Sequence, residues 1–214
     1  MPPSLGGMGD IPGEIERGQD MMMQNENVVM LITDARARGA ILGFDGPTRF
    51  LSNFFGSDVT AYGIRFPTVE HAFAAVKLDP NGGVFTRGEV LSEMRRIAGM
   101  SSPGEAKGAG RRRKWDGSQP DEKPVGPLRP FLRPDWEDVK FDLITDLVRR
   151  KFAHPHLAKK LLATGDAELF ELNTWGDKIW GVIEKDGVLV GANWLGKILM
   201  LIRDELREAA SRSA

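Results

Sequence analysis

The chain contains no cysteine, which removes disulfides, thiolate nucleophiles and thiolate metal ligands together. Only three histidines are present. Two of them flank a proline in His154-Pro155-His156 with no evident third ligand, so a zinc site is not expected and neither metal nor cofactor is assigned. Surplus charge is missing too: 29 Lys and Arg against 30 Asp and Glu leave a formal net charge of −1. Proteins that coat nucleic acid or anionic membranes usually carry a large basic surplus, so those roles are disfavoured. Long apolar runs are absent. The longest, such as Ile198 to Ile202, fall far short of the roughly 20 residues of a spanning helix. No charged segment followed by an apolar one opens the chain, so the expectation is a cytoplasmic protein with no membrane partner.

What is there fits one soluble domain of 214 residues, with 41% hydrophobic and 28% charged residues. The 25 glycines and 13 prolines exceed the usual combined share of roughly 12% and predict many turns. Residues 1–27 mix Pro, Gly and acidic residues without periodicity and read as a flexible leader before a domain over 28–214. Val28 to Ile32 is β-branched and short, as a buried strand would be. Thr68 can cap a helix running from Val69 to Lys77. On that helix Glu70, Phe73, Ala74 and Lys77 would share a face.

Val90, Leu91, Met94 and Ile97 predict a helix over Arg87 to Ala98. Ser102-Pro103-Gly104-Glu105 reads as a capping box with proline at the first helical position. From Trp115 to Phe131 nothing apolar repeats, which predicts an exposed loop. Helices are expected from Val139 to Phe152 and from His156 to Ala163. Short strands are expected at Ala167 to Leu172 and Gly187 to Val190, with a turn at Lys185-Asp186-Gly187. The last helix buries Leu195, Ile198, Leu199, Ile202 and Leu206 and leaves Arg203, Asp204, Arg207 and Glu208 largely in solvent. The count favours helices with a minor sheet.

Four clusters could carry chemistry. Glu70 and His71 at a helix start, with Lys77, bring acid, imidazole and amine together; the same residues also suit a capped helix with a polar surface. Asn173-Thr174-Trp175-Gly176-Asp177-Lys178-Ile179-Trp180-Gly181 sets two indoles around an aspartate, as a flat-ring pocket or a core anchor would. Arg111-Arg112-Arg113-Lys114 after Gly108 and Gly110 suits phosphate oxygens or a solvated charge run. Its glycine spacing matches neither a dinucleotide fingerprint nor a P-loop. Phe50-Leu51-Ser52-Asn53-Phe54-Phe55 could be a strand or a site wall.

Taken in chain order, these segments resemble the NADAR family of YbiA-like N-glycosidases. The resemblance rests on Arg49-Phe50-Leu51-Ser52-Asn53-Phe54, Phe66-Pro67-Thr68-Val69-Glu70-His71-Ala72-Phe73 with Lys77, and Gly104-Glu105-Ala106-Lys107 with Gly110-Arg111. Further on it rests on Leu132-Arg133-Pro134-Asp135-Trp136, Lys151-Phe152, Thr164-Gly165-Asp166, Trp175-Gly176-Asp177 with Trp180-Gly181, and Gly191, Asn193, Leu195-Gly196 and Arg203. It covers about Gly43 to Leu206.

The resemblance implies an α+β, mainly helical single domain with a small β-sheet that cleaves N-glycosidic bonds of ribose derivatives. The family's substrates are ribosylamino-pyrimidine phosphates of riboflavin synthesis or ADP-ribose joined to guanine. The chain departs from the family pattern in its leader, in an insertion over 115–131, and in Gly56 where relatives carry proline.

Scission at C1′ passes through an oxocarbenium-like state that carboxylates stabilise. The expected catalytic residues are therefore Glu70, at C1′ or on the water, Asp177 as a second acid or base, and Lys77 as phosphate ligand or Schiff-base amine. Arg49 and Arg111 would hold phosphate, Trp175, Trp180 and Phe54 would line the base with Gly176 and His71 alongside, and Asn53 and Asn193 would orient sugar hydroxyls. The partner is a small ribosyl or ADP-ribosyl substrate. The basic run at Arg111 also admits ADP-ribosylated nucleic acid, while no oligomeric state follows from the sequence. A module that binds ADP-ribose without cleaving it would need the Arg and Trp positions but neither Glu70 nor Lys77.

Overall fold

The computed structural model describes residues 27–81, 85–110 and 132–212. The leader before residue 27, Arg111 with the basic run that follows it, and the 115–131 insertion lie outside the described residues. The architecture is α+β and mainly helical, with seven strands spread over three small sheets among the described residues. The chain divides into two compact units, one holding 56–151 and the other holding 27–55 together with 152–212.

The first unit opens with a hairpin of β3 (Val59–Ala61) and β4 (Ile64–Phe66). Its turn residues Tyr62 and Gly63 both have positive φ, at 50° and 72°. That backbone matches the right-handed strand twist, and a tyrosine there is strained relative to asparagine or glycine. Val59, Ala61, Ile64 and Phe66 point inward, while Thr60 and Arg65 alternate outward. Helix α2 (Val69–Ala75) follows and packs against the hairpin and against α3 (Arg87–Ala98) and α4 (Pro103–Ala109). All seven of its residues are buried, so it is the central element of this unit.

α2 ends two residues earlier than the apolar spacing predicts. Val76 is its C-cap, and a turn closed from Leu78 N–H to the Ala75 carbonyl carries Lys77 out of the helix. Helix α3 has the predicted bounds and a full capping box between Thr86 and Glu89. At α4 the expected box is altered: Ser102 Oγ accepts from Glu105 N–H, but the Glu105 carboxylate reaches back to Ser101. Helix α5 (Trp136–Phe152) closes the described part of this unit.

In the second unit β1 (Val28–Leu31), β7 (Val188–Gly191) and β6 (Ile183–Lys185) form an antiparallel sheet in the order β1-β7-β6. The predicted turn at Asp186-Gly187 joins β6 to β7, with φ of 53° and 78°. One sheet face packs on Ile32 and Ala35 of α1 (Ile32–Ala37), with Phe170, Val182 and Leu189. The fully buried strand expected at Val28–Ile32 is corrected: β1 alternates, leaving Val29 74% and Leu31 51% exposed, and Ile32 already belongs to α1. An edge strand with one packed face buries only every second side chain.

β2 (Ile41–Leu42) pairs in parallel with β5 (Leu169–Phe170), a shorter strand than the sequence suggests. Helices α6 (Pro155–Leu162) and α7 (Trp194–Arg212) complete the unit, and α7 packs on both α6 and β5. Arg203 is the main departure on α7, being only 4% exposed rather than solvated. Its Nη1 donates to Thr164 Oγ1 at 2.9 Å and to the Ala167 carbonyl at 2.8 Å, which ties α7 to the turn after α6. Those two acceptors offset the burial of a cation that helical periodicity alone would place outside.

Candidate active site

In the first unit Thr68 starts the site. Its Oγ1 accepts from His71 N–H at 3.2 Å, and the same hydroxyl lies 2.8 Å from His71 Nδ1. His71 Nε2 lies 3.3 Å from the Met100 carbonyl. A carbonyl can only accept, so Nε2 carries the proton and Nδ1 accepts from Thr68. Burial pulls the imidazole pKa below its ordinary value, which keeps the ring neutral. His71 is thus a brace for the start of α2 with both ring nitrogens engaged. Next to it, Glu70 is 8% exposed in the first turn of α2.

Lys77 is held from three sides. Its Nζ donates to the Gly110 carbonyl at 3.1 Å and sits 5.3 Å from the Phe73 ring centre and 5.5 Å from that of Trp136. The two rings lie 5.1 Å apart at 51°. Gly110 lies close against this segment, a Cβ there standing 3.4 Å from both Ala74 Cβ and Lys77 Cδ. A carbonyl and two aromatic faces favour the ammonium form of the resting lysine.

Arg133 pins the same segment. Its N–H donates to the Lys77 carbonyl at 2.8 Å, Leu78 bridges Leu132, and its guanidinium, 1% exposed, grips Asp135 through two bonds of 2.6 and 2.8 Å. The sequence marked the Leu132 to Trp136 block without giving Arg133 and Trp136 this role. An arginine two residues before an aspartate and a tryptophan was the available signal.

In the second unit the aspartate loop is preorganised by Asn173, 3% exposed, which the sequence also left without a role. Its Oδ1 accepts from Asp177 N–H at 2.9 Å, while Nδ2 donates to the Asp177 carbonyl at 2.7 Å and the Val182 carbonyl at 3.0 Å. Asp177 Oδ1 in turn accepts from Ile179 N–H at 3.0 Å and Trp180 N–H at 2.9 Å. The loop carbonyls of Ile179 and Trp180 accept from Trp194 and Leu195 N–H, which satisfies orphan donors at the start of α7. Trp175 stands 67% exposed on this loop beside Gly176, whose φ is 85°, and Trp180 is half-buried.

Asn193 is 1% exposed, with Oδ1 accepting from Glu171 N–H at 3.0 Å and Nδ2 donating to the Leu169 carbonyl at 2.8 Å. Its amide therefore links chain segments rather than standing open to a sugar. Asn53 differs: its Oδ1 is buried and accepts no hydrogen bond among the described residues. Phe54 N–H donates to Ser52 Oγ at 3.1 Å, and Arg49 is exposed on the 3₁₀ turn Gly46–Leu51. Each unit thus gathers part of the expected set: Glu70, His71 and Lys77 in the first, and Arg49, Asn53, Phe54, Trp175, Gly176, Asp177, Trp180 and Asn193 in the second.

A mainly helical α+β chain carrying a buried helix-start glutamate and a tryptophan-flanked aspartate loop has counterparts among known proteins. Residues 44–207 match the NADAR domain model, and the chain belongs to the NADAR family. It is 35% identical over 156 residues to N-glycosidase YbiA of Escherichia coli, covering 72% of this chain and 79% of that protein. Riboflavin biosynthesis protein VVA0006 of Vibrio vulnificus is 30% identical over 162 residues. There the match covers 75% of this chain and 36% of the other, so the chain spans about a third of that longer protein. The NMR structure of E. coli YbiA superposes with a TM-score of 0.58 at 30% identity, covering 80% of this chain and 86% of that one. No described helix is long and apolar enough to cross a membrane.

Proposed function

We propose that the protein is an N-glycosidase that hydrolyses the bond between C1′ of a ribose derivative and a base nitrogen. Water adds its oxygen to C1′ and its proton ends on the departing nitrogen. The observation that carries this reading is Glu70, a carboxylate 8% exposed in a chain of the NADAR family, two residues past the cap of a wholly buried helix. A buried carboxylate can face the positive charge that grows at C1′ with little competition from water.

Lys77, favoured as an ammonium by Gly110, Phe73 and Trp136, supplies a fixed positive charge for an anionic group of the substrate. From the second unit Asp177 serves as acid or base, and Trp175, Trp180 and Phe54 offer flat surfaces to the base. Asn53 Oδ1 suits a sugar hydroxyl, since a buried acceptor gains most from a new donor. Arg49 and Arg111 supply further cations for phosphate. The substrate is a ribosylamino-pyrimidine phosphate or ADP-ribosylated guanine, including guanine within nucleic acid.

Mass spectrometry on the protein and its Glu70→Gln variant, incubated with each substrate in turn, tests the reading. Wild-type release of base and sugar from one substrate, with Glu70→Gln still binding but not cleaving, is expected. Binding without release by the wild type would make the protein a nucleotide-binding module instead.

A further inference from the structure

Helices α2 and α4, each of seven residues and so about 10 Å long, pack against one another and are fastened at both ends. At the first end His71 reaches from α2 to the Met100 carbonyl, 3.3 Å away in the turn that leads into α4. Ser101, next in that turn, gives its N–H and its hydroxyl to the Glu105 carboxylate, each at 2.9 Å, and Ser102 Oγ caps the helix. At the far end Gly110, the C-cap of α4, sits against Ala74 and takes the Lys77 ammonium on its carbonyl at 3.1 Å. The two residues assigned to the reaction in this unit are thus set one at each fastening: Glu70 precedes His71 in the chain, and Lys77 makes the far contact itself.

The first fastening depends on which hydrogens His71 carries. A neutral ring accepts at Nδ1 from Thr68 and donates at Nε2 to Met100, while Thr68 Oγ1 accepts the His71 backbone N–H that caps α2. A second ring proton would face Thr68 Oγ1 and drive the hydrogen of this buried hydroxyl away from its acceptor. Among the described residues, Glu105 of α4 is the charged group whose field reaches the ring; Arg96 of α3 acts on Glu105 instead, and Arg65 of the hairpin is engaged by Asp58. Burial outweighs the Glu105 field, so the ring takes up its second proton only below the ordinary histidine range. Glu105, held below the usual carboxylate range by the Ser101 hydroxyl and N–H, stays ionised as it does so.

We infer that His71 is a positioning residue for the reaction, registering α2 against α4 so that Glu70 and Lys77 are presented to the substrate at a fixed separation. The ring is 2% exposed and engaged at both nitrogens, so it acts through its neighbours. A displacement of about 1 Å in a reacting group costs up to about 100-fold in rate, whereas the contacts that bind the rest of the substrate are left in place. The inference rests on the N-glycosidase reading for the reaction that is served, but not for the link between the two helices.

Two isosteres separate the two ring bonds. His71→Asn sets an acceptor near Thr68 and loses the donor to Met100, His71→Gln keeps a donor near the Nε2 position and loses the acceptor, and neither side chain titrates. His71→Ala loses both. On whichever of the two substrates the wild type cleaves, kcat should fall at least about tenfold in the Asn and Gln variants and further in the Ala variant, with KM within about twofold throughout. Amide hydrogen exchange read by NMR on the same proteins, with thermal melts to confirm folding, should show protection falling together in the first turn of α2 and at Ser101 and Glu105. In the wild type, which needs no substitution, the same paired loss should follow the His71 ring signal as it titrates on the acid side; in His71→Gln it should not depend on pH over that range.

Unchanged kcat in all three variants, a KM that rises at constant kcat, or a wild-type ring that titrates while Ser101 and Glu105 stay protected would each overturn the assignment. Paired loss of protection in a protein that cleaves neither substrate would uphold His71 as the link between the helices and overturn the glycosidase reading.

Discussion

Asn173→Ala should destabilise the protein measurably although it removes a small, polar, non-reacting side chain. Four hydrogen bonds are lost, to Asp177 N–H, the Asp177 carbonyl, the Val182 carbonyl and, at 3.5 Å, the Glu171 carbonyl. The Val182 carbonyl keeps a second donor, since Asn173 N–H also reaches it at 2.9 Å. Asp177 is only half-buried, so water restores part of what its N–H and carbonyl lose. At about 1–3 kcal/mol per unsatisfied buried group, the net loss comes to about 2–3 kcal/mol. For a chain of this size that lowers Tm by about 4–12 °C.

The assay is a thermal melt followed by circular dichroism, with substrate turnover measured on the same preparations. Asn173→Asp makes the test sharper. It keeps the acceptor for Asp177 N–H but sets a carboxylate against the carbonyl oxygens of Glu171, Asp177 and Val182, so it should destabilise at least as much as alanine. A Tm shift under about 2 °C in both variants, with turnover intact, would refute the view that Asn173 organises the aspartate loop.

Gly196→Ala should be among the most damaging single-methyl changes, because a Cβ there would lie 2.0 Å from the Leu169 carbonyl and 2.4 Å from Asn193 Nδ2. Soluble yield and Tm should both fall, and an unchanged melt would show that α7 can shift away from β5. Lys151, fully buried in α5, has its pKa pulled down to about 7 by burial. Between about pH 7 and 10 the unfolded lysine binds a proton that the folded one does not, so folding stabilises as pH rises through that window. The stability gap between Lys151→Met and wild type should change by up to about 1.4 kcal/mol per pH unit there in favour of wild type, read from urea unfolding at several pH values. A pH-independent gap would show that Lys151 stays charged. For Lys77, borohydride added during turnover should trap no sugar on the protein, because its contacts favour the ammonium; a reduced adduct at Lys77 would reassign it as a nucleophile.

Local signals were the legible part of the fold. The spacing of Val90, Leu91, Met94 and Ile97 placed α3 with its observed ends, Thr68 capped α2, and Asp186-Gly187 made the β6–β7 turn. Each depends on neighbours within a turn or two of helix or hairpin. Arg203 escaped the same logic because its acceptors, Thr164 and Ala167, come from a distant stretch of chain. Lys77 left its predicted helical face because the helix stops at Ala75, and its surroundings come from Gly110 and Trp136, remote in sequence. Asn193 looked like a ligand-facing amide, yet a φ of 54° and two backbone partners make it a fastener. Residue types announced the chemistry, whereas which polar atoms remain open to a ligand depends on tertiary hydrogen bonds.

The stitching of the loop carbonyls at Ile179 and Trp180 to the first amides of α7 bears on motion as well as geometry. Amides exchange with solvent only when their bonds open, and a loop fastened to the first turn of a 19-residue helix opens at the free energy of that helix's end. The amides of Asp177, Trp180, Trp194 and Leu195 should therefore lose protection together in hydrogen–deuterium exchange, as one cooperative unit. The aspartate is then expected to share the protection of the α7 start, whereas the exposed indole of Trp175 lies outside that hydrogen-bonded set.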